Sequence, residues 1–142
     1  MVMVDSLRPV MVLILQLYSR GRRKFKMAEL SIIMPRGDLR NVKFCVRGGD
    51  TLVTDFTEIF FTVKQTTRAN NILFQKRLSS GDITLGDDNY YHLSIAPEDT
   101  NELDYGSYKF DVEILRNDEI KQTTVGILTI TDEVTFATNE GA

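Results

Sequence analysis

The chain has 142 residues, of which 42% are hydrophobic and 26% charged, the composition of a soluble globular protein with one domain and a short extension. Its charge is unevenly distributed. Residues 1–26 hold six basic side chains and one acidic side chain, whereas the remainder holds eleven basic and nineteen acidic ones. An acidic domain repels a phosphate backbone, so this composition argues against nucleic-acid binding by residues 27–142.

The segment before Met27 differs from the rest of the chain in hydropathy and charge. Its apolar run, 9–18, is about half as long as the ~20 residues that a membrane-spanning helix needs. A basic cluster follows this run, where a signal peptide would carry small residues. We therefore expect no membrane span and no secretion signal, and predict that residues 1–26 form a disordered or loosely helical extension. A short basic membrane anchor is the alternative.

A second hypothesis for this segment concerns the start of translation. Arg22, Arg23 and Lys24 lie three to five residues before Met27. AGG codons at both arginines would form a bacterial ribosome-binding site in front of an ATG. We expect translation to start at Met27, with residues 1–26 as upstream sequence included by a mis-annotated start. CGN codons at both arginines would remove this expectation, and the N-terminal mass of the natural protein tests it.

From Met27 onward, apolar and polar residues alternate in short runs separated by turn residues, the pattern of an all-β sandwich or barrel. No run has the 3.6-residue period of a long helix. We predict an immunoglobulin-like β-sandwich of about seven antiparallel strands over residues 27–136, followed by a flexible tail at 137–142. A barrel is the alternative. The predicted strands are Leu30–Met34, Val42–Val46, Phe56–Lys64, Ile72–Leu78, Tyr90–Ile95, Tyr108–Leu115 and Ile120–Ile130.

The connection between the fifth and sixth predicted strands breaks the alternation. Pro97 followed by acidic residues predicts the first turn of a short helix, after which the chain reaches Gly106 and Tyr108. We expect Tyr108 to be a tyrosine corner, whose hydroxyl bonds back to the backbone near the start of strand F in immunoglobulin-like domains. Phe110 then takes the place of the second disulfide cysteine of the antibody branch, and Cys45 lies on the strand that would carry the first. These four residues are predicted to be structural.

Cys45 is the only cysteine, so no intrachain disulfide forms and we expect folding in a reducing compartment. It alternates with Lys43 and Arg47 and has Phe44 and Val46 as neighbours. This setting favours a buried, inert thiol over a nucleophile.

Residues capable of chemistry are scattered along the chain. His92 is the only histidine, and no cysteine cluster accompanies it, so the sequence predicts no metal site. Asp82, Asp87 and Asp88 lack the twelve-residue pattern of a calcium loop, and the run Gly86–Asn89 fits a hairpin turn better. No nucleophile elbow and no glycine-rich phosphate loop is present. We therefore predict no catalytic residue and no cofactor.

Five sequence motifs follow one another along the chain: MPRGDLRNVKFCV, FTEIFFTVKQ, FQKRLSSGDIT, YYHLSIAPEDTNELDYGSYKFDVEI and TTVGILTITDEVT. This succession of motifs resembles a family of small structural proteins from phages and prophages of low-GC Gram-positive bacteria. The resemblance extends over about Leu30 to Thr135, and its most specific part is Ile95–Ile114. Over this range the chain is similar to the amino-terminal domain of the upper baseplate proteins of such phages.

This resemblance implies a non-enzymatic structural module of the tail, baseplate or head–tail region of a phage or prophage particle. Its expected partners are other virion proteins and further copies of itself, with no nucleic acid and no membrane. It would assemble in the bacterial cytoplasm and end in the virion. The alternative is a module that binds carbohydrate or the host surface, for which Tyr90, Tyr91 and Tyr105 are the candidate exposed aromatic residues.

Overall fold

The structure is a computed structural model that describes residues 10–17, 30–117 and 120–132. These residues form ten strands and one helix of four residues. All seven predicted strands are present, with ends that shift by a few residues, and the short helix begins at Pro97 as predicted. The elements are β1 (Val10–Gln16), β2 (Leu30–Pro35), β3 (Arg40–Gly48), β4 (Thr51–Leu52), β5 (Glu58–Lys64), β6 (Phe74–Arg77), β7 (Thr84–Leu85), β8 (Tyr91–Ile95), α1 (Pro97–Thr100), β9 (Gly106–Arg116) and β10 (Ile120–Thr131).

Two five-stranded sheets pack face to face. Sheet 1 has the order β1-β3-β8-β7, with β4 also paired to β3, and sheet 2 has the order β2-β10-β9-β5-β6. The set β3, β8 and β7 opposite β10, β9 and β5 corresponds to strands B, E and D opposite G, F and C of immunoglobulin domains. The prediction of an all-β, immunoglobulin-like sandwich is therefore confirmed.

The pairing differs from the predicted antiparallel pattern at two places. β1 runs parallel to β3, and β2 runs parallel to β10. Both parallel pairs join an N-terminal strand to the margin of a sheet, whereas the other strand pairs described are antiparallel. The two-residue strands β4 and β7 were not predicted, since two residues show no period.

Alternation along each strand decides which side chains enter the space between the sheets. In sheet 1, the ring of Phe44 lies 5.5 Å from that of Tyr91. In sheet 2, the ring of Phe61 lies 5.0 Å from that of Phe110. Burial of each large apolar side chain contributes about 1.5–3 kcal/mol, which makes this layer the main source of stability. The buried faces of β3 and β9 are those predicted, formed by Val42, Phe44, Val46, Tyr108, Phe110, Val112 and Ile114.

The prediction for the N-terminal extension is wrong over Val10–Gln16, which is neither disordered nor helical. This segment forms β1 and pairs with Asn41–Arg47 of β3. Leu13 and Leu15 are buried in the common core, at 5% and 1% exposure. The physical reason is that the branched apolar residues of this run favour an extended chain, and the margin of β3 supplies a partner. Residues 1–9 and 18–29, and the predicted tail at 137–142, lie outside the described residues.

Helix α1 connects three parts of the sandwich. The Asp99 carboxylate accepts a 2.7 Å hydrogen bond from the Ala96 backbone N–H and forms a 2.8 Å ion pair with Lys76 of β6. Thr100, which is fully buried, accepts a 2.8 Å hydrogen bond from the Gly37 backbone N–H in the turn between β2 and β3. The helix therefore holds this turn and β6 at the entrance to β9.

Candidate interaction surface

Tyr108 and Gly106 lie at the start of β9. The Tyr108 hydroxyl donates a 2.7 Å hydrogen bond to the Asp104 backbone carbonyl. Gly106 has a φ of 137°, a backbone angle that glycine adopts without strain. Burial and the nearby Asp104 charge raise the pKa of the Tyr108 phenol, so the hydroxyl stays a neutral donor. These contacts fix the backbone at the start of β9.

Phe110 and Cys45 occupy different layers of the fold. Phe110 is 1% exposed and belongs to the central core, beside Gly126 of the neighbouring strand. Cys45 is also fully buried, but it lies outside the core cluster that holds Phe110. The Cys45 thiol is next to the Tyr90 phenol, whose pKa it raises through a side-chain hydrogen bond. Cys45 and Phe110 therefore do not lie together in the way that the two cysteines of a disulfide do.

A polar cluster lies on the outer face of sheet 1, around the turn between β7 and β8. The Asp88 carboxylate is 3.1 Å from His92 Nε2 and 3.3 Å from Lys43 Nζ. The hydrogen bond from His92 is the main reason why the pKa of Asp88 falls to about 2. Lys43 also lies 4.6 Å from the centre of the Tyr90 ring. This arrangement orders the predicted turn, in which Asn89 has a φ of 66°.

An open concavity of about 670 Å³ lies beside this cluster. Its polar lining is largely paired within the chain: Ser94 donates a 2.7 Å hydrogen bond to Asn41, and Lys76 pairs with Asp99. No lining side chain is a buried polar group without a partner. Within the described part of the chain, no group of three or more His, Cys, Asp or Glu residues is placed to hold a metal ion.

The three candidate aromatic residues for carbohydrate binding do not form an exposed row. Tyr91 is 1% exposed and packs in the core, so its prediction as a surface aromatic is wrong. Tyr90 has Lys43 over its ring. Tyr105 is half exposed, but the Arg36 guanidinium lies 4.4 Å from its ring centre, on a different connection of the fold. These three side chains therefore do not form a flat exposed surface on which a sugar ring could stack.

The four sheet margins differ in how they are protected against pairing with another strand. β7 has two residues, and β6 carries Lys76 and Arg77. β2 ends at Pro35, which lacks an N–H, and its Ile33 carbonyl accepts a hydrogen bond from Arg40. Short length, charge and proline are the usual means of blocking an edge strand. β1 has none of them, because its seven residues include no charge and no proline.

The outward groups of β1 follow from its pairing with β3. The Leu17 N–H donates a 2.8 Å hydrogen bond to the Arg47 carbonyl. Alternate residues of a strand direct their backbone groups to the same side, so those of Val10, Val12 and Ile14 point away from β3. The side chains of these three residues are 38%, 46% and 48% exposed. We call Val10, Val12 and Ile14 the β1 edge strip, a line of outward backbone groups and exposed apolar side chains.

The β1 edge strip is not evident from the sequence. In the run VMVLILQ, Met11, Leu13 and Leu15 face or pack against the core, whereas Val10, Val12 and Ile14 are exposed. Because both sets are apolar, the alternation is invisible in a hydropathy pattern. Only the partner strand separates the two faces.

No family model and no curated protein matches the sequence. Among solved structures, the chain is similar to the N-terminal domain of phage TP901-1 ORF48, with a TM-score of 0.45 and 9% identity. The alignment covers 87% of this chain and 100% of that domain. Among the described residues, no helix is long and apolar enough to cross a membrane.

Proposed function

We propose that the protein is a non-enzymatic structural module of a phage or prophage particle, which acts through protein–protein contacts in the tail, baseplate or head–tail region. The observation that carries this proposal is the β1 edge strip. An exposed, uncharged edge strand is a site for strand addition, in which backbone hydrogen bonds give affinity and alternate side chains give specificity. The motif resemblance over Leu30 to Thr135 supports the assignment to a phage particle.

The state of the chemically capable side chains supports an assembly role over catalysis. Cys45 is fully buried, which keeps the thiol from a substrate. His92 is engaged with Asp88 and lines the open concavity, where its side chain is exposed to solvent. Catalysis requires convergent, water-shielded groups, and these two residues belong to no such group in the described ranges.

The proposal includes assembly in the bacterial cytoplasm and later residence in the virion. Its partners are other virion proteins and further copies of this chain. A free, buried thiol is compatible with folding under reducing conditions. The predominantly acidic composition of residues 27–142 is unfavourable for contact with packaged nucleic acid.

Quantitative mass spectrometry of purified particles tests the proposal. Particles released after prophage induction are separated on a density gradient, and peptides of this chain are measured across the fractions. We expect a constant ratio to a major virion protein through the particle peak. An abundant cytosolic protein of the host serves as the control for trapped material. A chain that is present in cells but follows the cytosolic control across the gradient contradicts the proposal.

A further inference from the structure

We infer that a second copy of this chain docks along β1, antiparallel to it, so that sheet 1 continues across a two-fold axis near Leu13. This inference rests on the proposed function, assembly through protein contacts, and on translation of the segment before Met27, and it names the partner and the surface. It assigns the β1 edge strip as the contact.

The backbone geometry favours an antiparallel copy. A two-fold axis brings the same strand of both copies together, and with the axis perpendicular to the sheet the two strands run in opposite directions. With this axis at Leu13, Val12 lies opposite Ile14 of the second copy, and Ile14 lies opposite its Val12. The backbone groups of both residues point outward, so each pair exchanges two hydrogen bonds.

The side chains of the strip are self-complementary. In the two Val12–Ile14 pairs, branched apolar residues meet on the outer face, a combination that stabilises cross-strand pairing. Val12 and Ile14 are 46% and 48% exposed in the single chain, so the contact removes apolar surface from water. On the opposite face, Leu13 keeps its place in the core.

The absence of charge on β1 allows an identical strand to pair with it. Across a two-fold axis a charged strand faces its own charges, and like charges directly opposite each other destabilise a pair. The β6 margin, with Lys76 and Arg77, would bring such charges together. β1 carries none between Val10 and Gln16. The strip ends at Gln16, whose carbonyl accepts a hydrogen bond from Gln122 within the same chain.

Sedimentation equilibrium of the full chain tests the inference. We expect a monomer–dimer equilibrium whose dissociation constant rises at least about tenfold in the double variant Val12→Lys/Ile14→Lys, since two apolar pairs become like-charged pairs. The variant Val12→Glu/Ile14→Glu is expected to weaken self-association equally. An equimolar mixture of the two variants is expected to recover dimers, because lysine then faces glutamate.

The matched control is Ile33→Lys, which places a charge on the exposed face of β2 at a side chain that is 55% exposed. It is expected to leave the dissociation constant within about twofold of the original, because an isolated surface substitution changes free energies little. Circular dichroism and thermal unfolding show whether each variant keeps the fold. If a variant unfolds, the single substitutions Val12→Thr and Ile14→Thr give the same comparison with milder changes.

Three results overturn the inference: a strict monomer at every concentration, an equal effect of Ile33→Lys, or a mixture of the oppositely charged variants that does not associate. Its failure is distinguishable from failure of the proposed function. A monomer that is still found in constant ratio in purified particles removes the two-fold contact and keeps the structural role. A dimer that is absent from purified particles keeps the two-fold contact and removes the structural role in the particle.

Discussion

The hydroxyl of Tyr108 donates a 2.7 Å hydrogen bond to the backbone carbonyl of Asp104, four residues earlier in the chain. This bond closes the connection that leads from α1 into β9, with Gly106 between the two partners. Tyr108 is 4% exposed and its ring packs in the core. A single side chain therefore joins the core to the backbone at the crossing between the two sheets.

Replacing this tyrosine with phenylalanine isolates the hydrogen bond. Tyr108→Phe keeps the ring but leaves the Asp104 carbonyl without its donor, so the free energy of unfolding is expected to fall by about 1–2 kcal/mol. Urea unfolding followed by circular dichroism measures it. The control is Tyr105→Phe, which removes a hydrogen bond that the half-exposed Tyr105 hydroxyl accepts from Arg36 at the surface, with an expected loss below about 0.5 kcal/mol. Equal losses in the two variants would show that the hydrogen bond from Tyr108 to Asp104 makes no special contribution to the free energy of unfolding.

Gly126 allows β10 to approach Phe110 of β9. A Cβ atom at this position would lie 2.5 Å from Phe110 Cζ and 2.8 Å from the Leu30 carbonyl oxygen. Gly126→Ala is therefore expected to lower the free energy of unfolding by about 1–3 kcal/mol through overpacking. The exposed Thr123→Ala on the same strand is the control, with a smaller loss expected in the same urea titration. A Gly126→Ala variant as stable as the original chain contradicts this account.

Truncation of Leu15 tests how much the packing of β1 contributes to the stability of the sandwich. Its side chain is 1% exposed, whereas that of the adjacent Ile14 is 48% exposed. Leu15→Ala is expected to cost about 2–5 kcal/mol, the usual effect of truncating a buried leucine. Ile14→Ala should cost much less, because this side chain faces outward. Thermal and urea unfolding at low protein concentration, where the chain is monomeric, give both values. Similar small losses at the two positions would mean that β1 is not packed as described.

The Asp88–His92 contact gives stability a defined dependence on pH. The pKa of Asp88 is lowered from 3.8 to about 2, first by the His92 hydrogen bond and further by the Tyr90 N–H and Lys43. A lowered carboxyl pKa stabilises the folded state above the unfolded-state pKa, and this contribution is lost as the pH falls from about 4 to about 2. In His92→Ala, the pKa of Asp88 should rise toward 3.8 and the acid-dependent loss should shrink. Carboxyl carbon NMR titration measures the pKa directly, and an unchanged value in the variant contradicts the assignment.

The pKa of Asp111 is raised, so its effect on stability depends on pH in the opposite direction to that of Asp88. Burial raises its pKa, Glu113 raises it further, and Lys64 only partly offsets them. Ionisation at neutral pH therefore opposes folding, and the penalty disappears as the pH falls below the unfolded-state value. Asp111→Asn is expected to raise the midpoint of thermal unfolding at about pH 7 and to have little effect at about pH 3. Asp87→Asn, at an exposed turn, is the control. A gain that is equal at both pH values would point to a cause other than charge.

Much of the fold was predictable because it depends on local alternation. In β3, the residues Val42, Phe44 and Val46 repeat at every second position, and side-chain direction in a strand has the same period. The inner face of β9 is predictable from the same alternation. The position of Tyr108 two residues after Gly106 and the turn at Gly86–Asn89 were also visible, since each depends on residues close together in sequence.

The candidate surface was not predictable, because it depends on contacts between distant residues. From its sequence, the run Val10–Gln16 was interpreted as a disordered or loosely helical extension or a short anchor, and only its pairing with the margin of β3 makes it a strand. Lys43 and Asp88 are 45 residues apart and meet only when β3 and β8 pair. The burial of Tyr91 likewise depends on Phe44 and Phe56.

The amino-acid sequence alone determined that apolar and polar residues alternate, that the chain forms short strands, and which face of β3 and of β9 is apolar. Only the tertiary structure decided that β1 completes sheet 1 and that Val10, Val12 and Ile14 form its exposed margin. The physical reason is that alternation is a property of neighbouring residues, whereas an edge exists only once all the strands of a sheet have found their order.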